Sequence, residues 1–183
     1  MKIVLASSSP RRFELLKGIY SDFTVIKPQC DEKNYPTPSK TVKNLALTKA
    51  LAVDTDFDVL ISADTIVVHK GKIIGKPKSP KNAIEILTNL RGKNHKVYTG
   101  VCIRYKDGKK CKTDVFYAVS TVKMKNLTDN EIRDYVKTGS PCDKAGAYGI
   151  PDGVVECYKG SYSNIVGLPV EDLIKRLKRH RLL

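Results

Sequence analysis

The sequence predicts an α/β fold, one domain over residues 1–183 with a mixed central sheet, helices around it and a cleft between two lobes. Three observations predict this class. Short apolar segments alternate with amphipathic segments of helical period. A serine followed by a proline, typical of a capped helix start, stands before two of the helical segments. An Asp-Gly pair between two long strand-like segments predicts a hairpin.

The elements follow from local signals. Apolar runs predict strands, and capping residues followed by an apolar stripe of helical spacing predict helices. In the first half these signals give, in order, strand 2–6, a helix from Ser9, strand 23–26, helix 39–54, strand 59–68 with an interruption at Asp64-Thr65, a turn at 70–72, and a helix from Ser79 to Gly92. In the second half they give strands 96–105 and 114–124 around Asp107-Gly108, a helix from a capping box at Thr128 and Glu131, a glycine-rich segment 140–168 with strand 154–158, and a last helix 169–179.

Composition narrows the class of protein. The formal net charge is +14, and the lysines are spread along the whole chain. Five cysteines without a C-x-x-C pair argue against a disulfide framework and a zinc knuckle. No apolar run approaches the roughly 20 residues of a membrane span, and the N-terminus lacks a signal-peptide pattern. We therefore expect a cytoplasmic protein with no membrane association.

The segment Ser7–Arg12 departs from the usual charge preference of a helix start. The helix dipole disfavours a cation in the first turn by roughly 0.3–1 kcal/mol, yet Arg11 and Arg12 are expected there. A strand, a serine turn and a helix N-terminus together favour phosphate binding, because backbone N–H groups point outward. Ser7 and Ser9 add hydroxyl donors. The alternative is a capped helix with two solvated arginines.

Two charged residues fall within apolar patterns. Asp64 lies inside strand 59–68, where an unpaired carboxylate is costly. At a strand end that opens into a cleft it would act as a general base or as a ligand for a hard divalent cation; the alternative is an aspartate that starts a turn. Lys49 lies on the apolar stripe of helix 39–54, and it reaches either to a phosphate or along the edge of the core to solvent.

Three more charged residues stand in predicted loops. Glu32 follows the second strand and gains a function only as the partner of Asp64 on one metal ion. Lys76 and Lys144 adjoin glycine or proline, where free backbone N–H groups bind anions. Each loop is equally compatible with an ordinary surface turn.

These places occur together, in this order, in the Maf family of nucleotide pyrophosphatases, which the sequence resembles. The resemblance implies hydrolysis of a nucleoside triphosphate to the monophosphate and pyrophosphate. It also implies a two-lobed fold related to that of the inosine triphosphatases. The matching segments span nearly the whole chain, and their ordered combination is specific: "LASSSPRRFELL", "CDE", "LALTKA", "ISADTIVV", "IIGKP", "VYTGV", "EIRDYVKTGSPCDKAGAYGI" and "GSYSNIVGLPVEDL".

The resemblance implies roles for individual residues. Asp64 is the catalytic acidic residue and shares a divalent cation, Mg²⁺ or Mn²⁺, with Glu32. Lys49 and Lys76 complete the catalytic group around the metal and the phosphates. A homodimer is implied as well, with a nucleoside triphosphate as the partner molecule. The implied substrate contacts are Ser7, Ser9, Arg11, Arg12, Thr65 and Lys144.

The preferred base stays open. Thr65 and Arg11 resemble the branch of the family that acts on dTTP and UTP. That branch reads "AYGIQG", whereas this chain has Pro151 after "AYGI". Proline offers a base edge neither the donor nor the acceptor of a glutamine amide. Modified purine triphosphates such as 7-methyl-GTP are therefore the alternative substrates.

The net charge keeps a different class of function open. A basic, non-enzymatic regulator of cell division would bind nucleic acid or a division partner, and the dense run 175–181 supports it. The sequence shows no basic stripe interleaved with stacking aromatics. We therefore expect no stable complex with nucleic acid.

Overall fold

A computed structural model describes residues 1–31, 33 and 35–183. Within them, seven strands form one mixed sheet in the order β2-β1-β3-β5-β6-β7, and β4 pairs with β3. β1 is parallel to β2 and β3, and the other pairs are antiparallel. The strands are β1 Ile3–Ala6, β2 Thr24–Ile26, β3 Val59–His69, β4 Lys72–Ile74, β5 Asn94–Asp107, β6 Lys110–Met124 and β7 Val155–Lys159.

The helices begin where the capping signals predict. The Ser9, Ser79 and Thr128 hydroxyls each accept a backbone N–H in the first turn of a helix, and the capping box at Thr128 is complete. No helix in the described ranges has the length and apolar character of a membrane span. The helices are α1 Pro10–Lys17, α2 Pro38–Leu51, α3 Pro80–Leu90, α4 Asp129–Lys137, α5 Tyr162–Val166 and α6 Val170–Arg179, and three 3₁₀ turns lie at Ser140–Asp143, Ala145–Ala147 and Ile150–Asp152.

Three expectations need correction. The second helix ends at Leu51, three residues before the predicted end. Asp64 and Thr65 do not interrupt the third strand but continue it, because β5 pairs with β3 at both positions. The five-residue helix α5 was not predicted, since its cap, Ser161, stands in a glycine-rich segment with too short an apolar pattern. Of the five cysteines, Cys102 is buried and Cys30 is partly buried, while the other three are exposed: Cys111, Cys142 and Cys157.

Two hydrophobic clusters lie on the same face of the sheet, towards opposite ends of its long strands. One joins the first residues of β3, such as Ile61, to α1 and α6 through Leu16 and Leu173. The other joins Val67, near the end of β3, to α3 and α4. Between the clusters, Thr65 of β3 stands directly opposite Thr99 of β5. The two lobes therefore share one sheet and meet at a polar position.

The opposite face of the sheet carries α2, which packs on β3 and β5. The approach is close at Gly100, where an added Cβ would lie 2.2 Å from the Val42 carbonyl oxygen. Beside it, the buried Ser62 hydroxyl donates to the Ala46 carbonyl at 2.6 Å. These two contacts set the height of α2 above the sheet and, with it, the position of Lys49.

Gly100→Ala is expected to lower the free energy of unfolding by about 3 kcal/mol or more, since the methyl group meets backbone that cannot rotate away. Urea unfolding followed by circular dichroism measures the change. Gly18→Ala is the matched control, because its Cβ would meet only ordinary contact at 3.5 Å. Equal stability of the two variants would contradict the close packing of α2 on β5.

Candidate active site

The candidate site lies where β1 ends beside the longer strand β3. The last paired residue of β1, Ala6, stands opposite Ser62, while β3 continues to His69. On that edge of β3, pairing with β4 starts only at Val67. Asp64 and its neighbours are therefore the positions of β3 just beyond the carboxyl end of a parallel strand, where α/β sheets bind ligands. Asp64 was expected at a strand end, but the strand that ends there is β1.

Lys49 and Asp64 form a buried ion pair on the α2 face of the sheet. The Lys49 Nζ lies 2.5 Å from the Asp64 Oδ1, and their side chains are 14% and 9% exposed. Removing one partner of such a pair leaves an uncompensated buried charge and typically costs about 3–5 kcal/mol. Lys49 is thus a partner of Asp64 and not a lysine reaching solvent along the core edge.

Arg12 is fixed on the other face of β3. Its Nε donates to the Gly167 carbonyl at 2.8 Å, Nη2 donates to the Thr65 hydroxyl at 3.0 Å, and Nη1 donates to the Ser7 hydroxyl at 3.3 Å. Ser7 is buried. The Ser9 hydroxyl caps α1 through the Arg12 N–H, but at 3.5 Å this bond is weak. Four of the predicted site residues therefore meet in one cluster, and the charge of Arg12 is held in place by acceptors of the protein.

Arg11 and Lys144 meet at a carboxylate that the sequence did not indicate. Lys144 donates to one oxygen of Asp143 at 2.8 Å, and Arg11 Nη1 lies 3.4 Å from the other. Burial opposes ionisation of Asp143, but the hydrogen bond and charge of Lys144 and the charge of Arg11 outweigh it, so the pKa of Asp143 is lowered. The ammonium of Lys144 also donates to the Ser140 carbonyl at 2.5 Å. The pair of cations thereby ties α1 to the segment after α4.

The segment around Pro151 is held by a second carboxylate. Tyr135 donates its hydroxyl to Asp152 at 2.5 Å and accepts the Gly149 N–H at 3.1 Å. Burial, followed by the hydrogen bond to Asp152, raises the pKa of Tyr135. Pro151 lies exposed in the 3₁₀ turn Ile150–Asp152. Tyr135 therefore ties this turn to α4 on both sides of Pro151.

Two predicted residues stand apart from these clusters. Lys76 is exposed, and the residue before it, Gly75, accepts the Gly146 N–H at 3.1 Å, which places Lys76 on the loop next to the Lys144 segment. Glu32 lies outside the described residues. Within the described ranges, no group of three or more Asp, Glu, His or Cys side chains is placed to hold a metal ion.

Comparison with known proteins identifies the family. A family model described as "Maf-like protein" matches residues 2–180. This chain belongs to the Maf family. Among its relatives, a dTTP/UTP pyrophosphatase of Clostridium tetani is 46% identical, covering 97% of each chain. A dTTP/UTP pyrophosphatase of Thermosipho melanesiensis is 43% identical over 100% of both chains.

A solved structure supports the predicted fold. The Ham1 protein of Staphylococcus aureus matches 99% of this Maf chain and 100% of its own, with a TM-score of 0.53 and 15% identity. At that identity the match concerns the fold alone. It confirms the predicted mixed α/β architecture.

The sequence did not indicate a buried histidine that contacts the "AGAYG" segment of this Maf protein. His95 is 3% exposed, and its Nε2 lies 2.6 Å from the hydroxyl of Tyr148, in the "AGAYG" segment. Its Nδ1 is buried without a hydrogen-bond partner among the described residues. Burial lowers the pKa of His95 to about 4. The only sequence signal was a lone polar residue at the start of an apolar strand.

This burial predicts a pH dependence of stability. The unfolded chain carries His95 with a pKa near 6.5, so between pH 6.5 and about 4 the unfolded state binds more protons. The free energy of unfolding should therefore fall as the pH falls through this window, by up to about 1.4 kcal/mol per pH unit. Urea titrations at several pH values measure it. His95→Phe should lose this component of the slope, whereas His69→Asn should retain it; equal slopes would remove His95 as the cause.

Proposed function

We propose that this Maf protein is a nucleoside triphosphate pyrophosphatase that removes unwanted nucleotides and acts on dTTP and UTP. One observation carries the proposal: a buried ion pair joins Lys49 of α2 to Asp64 of β3 just beyond the end of β1, where the serine turn and the two arginines follow. Relatives that cover 97% and 100% of this chain bear the name dTTP/UTP pyrophosphatase, which supports the same activity.

The triphosphate is proposed to enter between the serine turn and the lysine-bearing loops. The Ser9 cap of α1 is weak, so a phosphate oxygen can replace it as acceptor for the N–H groups at the helix start. Arg11 and Lys144 both contact Asp143, and the long Arg11 contact can open towards phosphate. Lys76, exposed on the neighbouring loop, adds a further positive charge. These groups stabilise the charge that develops on the leaving pyrophosphate.

The reaction itself is proposed at Asp64. A water molecule attacks the α-phosphorus, the new P–O bond forms as the bond to the β-phosphate oxygen breaks, and pyrophosphate leaves. The carboxylate of Asp64 orients the water and takes its proton. Lys49 holds that carboxylate by Oδ1, which fixes its direction. Thr65, on the other face of β3, is proposed to orient Arg12.

A divalent cation fits this donor set when it arrives with the substrate. Mg²⁺ commonly binds through one or two carboxylates plus substrate phosphates, and Asp64 is a carboxylate whose only hydrogen bond within the described residues is to Lys49 through Oδ1. Asp64 would hold the ion, and Glu32 is the proposed second ligand. Mg²⁺ or Mn²⁺ would neutralise phosphate charge when bound.

The proposal is tested by incubation with dTTP, UTP, CTP, GTP and 7-methyl-GTP, with Mg²⁺ or Mn²⁺ and with a chelator, followed by product identification. We expect monophosphate and pyrophosphate from dTTP and UTP only when the cation is present. Release of orthophosphate would contradict the cleavage site. Preference for 7-methyl-GTP would instead assign the substrate to the purine class, in line with Pro151 at the glutamine position.

Asp64→Asn is expected to lower kcat by roughly 10²-fold or more, because the amide cannot accept the proton. Initial rates of pyrophosphate release measure the effect. Asp56→Asn is the matched control, since Asp56 is an exposed carboxylate paired with Lys106 on a distant loop. Near-normal turnover of Asp64→Asn would exclude Asp64 as the base.

A further inference from the structure

Two of the segments shared with the family, "VYTGV" and "GSYSNIVGLPVEDL", contribute buried polar residues next to Thr65. In the structure they meet beneath the site. Thr99, from the first segment, donates its hydroxyl to the Asn164 carbonyl at 2.9 Å, and both residues are fully buried. Thr99 also lies 2.9 Å from the hydroxyl of Thr65. The two segments thus connect the site to α5 through the polar position between the two hydrophobic clusters.

The donors and acceptors in this series of hydrogen bonds can be assigned. A threonine hydroxyl has a single proton, and Thr99 gives its proton to the Asn164 carbonyl. The bond between the two threonines therefore uses the proton of Thr65. Thr65 in turn accepts from Arg12 Nη2 at 3.0 Å. With its proton committed to Thr99, Thr65 cannot donate a hydrogen bond to a substrate.

These hydrogen bonds form a closed ring through α5, with the members Arg12, Thr65, Thr99, Asn164 and Gly167. Helix α5 is followed by its C-cap residue Gly167, whose carbonyl accepts the Arg12 Nε–H at 2.8 Å. Gly167 has φ 127°, a conformation that side chains rarely adopt. Arg12 is therefore held from two sides, by Thr65 and by Gly167, and both acceptors depend on the position of Asn164.

Asn164 is anchored to the sheet. Its Nδ2 donates to the Ser120 hydroxyl at 2.9 Å and to the Val97 carbonyl at 3.3 Å, on β6 and β5. The Ser120 hydroxyl donates to the Ser161 carbonyl at 3.0 Å. A five-residue helix has little stability of its own, so these bonds fix where α5 ends and where the Gly167 carbonyl points.

We propose that Thr99 and Asn164 are positioning residues, which contact no substrate but hold the guanidinium of Arg12 in the orientation that triphosphate binding requires. The proposal rests on the proposed function for its kinetic consequence. Its structural content, the dependence of Arg12 on the ring, is independent of which triphosphate is used.

Thr99→Val removes the hydroxyl and keeps the shape of the side chain. We expect KM for dTTP to rise about tenfold, as for loss of one hydrogen bond to a charged group, with kcat changed much less. Thr99→Ser, which restores the hydroxyl, should return KM close to that of the wild type. Thr121→Val, the same substitution on the neighbouring strand β6, should leave both constants unchanged. A Thr99→Val enzyme with wild-type KM would overturn the proposal.

A double-mutant cycle separates positioning from general damage to the fold. If Thr99 acts through Arg12, Thr99→Val should have no further effect on KM in an Arg12→Ala background. If the double variant instead raises KM by the product of the two separate factors, Thr99 acts by another route and the proposal fails.

A third measurement does not depend on activity. In ¹⁵N NMR spectra, the Nε–H of Arg12, hydrogen-bonded to Gly167, should exchange slowly with solvent in the wild type. The exchange should be at least about tenfold faster in Thr99→Val if the ring opens. Unchanged exchange contradicts the ring even if the protein hydrolyses no triphosphate. Faster exchange combined with absent hydrolysis would support the proposed ring and refute the proposed function instead.

Discussion

The continuous pairing of β3 with β5 is the constraint on which the site depends. These strands run through both hydrophobic clusters, and β1 covers only the first part of β3. The side chains of β3 alternate between the two faces, so Asp64 faces α2 while Thr65 faces α5. One strand thereby presents an ion pair on one side and the support of Arg12 on the other. A shift of register by one residue would exchange these roles.

Much of the fold could be predicted because its signals are local. The caps at Ser9, Ser79 and Thr128 satisfy backbone groups within one turn, so three residues of sequence suffice to mark them. The Asp107-Gly108 hairpin is equally local. Helix α5 is different, because its stability comes from bonds of Asn164 to strands more than 40 residues away. No pattern within its own five residues contains that information.

For the candidate site, the sequence pointed to individual residues but not to their contacts. Asp64 and Lys49 were each singled out because a charged residue stands in an apolar pattern. In the structure the two charges pair with each other. The ring of Thr99 and Asn164 and the bridge at Asp143 were missed for the opposite reason. Threonine in a strand and aspartate in a loop break no local rule, and only the tertiary structure shows that they hold Arg12, Arg11 and Lys144.

The two arginines at the start of α1 now have separate explanations. Arg12 donates hydrogen bonds to a carbonyl and to two hydroxyls, so the protein itself offsets the unfavourable dipole. The position of Arg12 in the first turn of α1 therefore does not by itself require a bound phosphate. Arg11 forms a long ion pair with Asp143, and its side chain is 37% exposed. Exposed ion pairs of this kind contribute at most about 1 kcal/mol, so an incoming triphosphate can compete for Arg11 at little cost while Arg12 stays fixed.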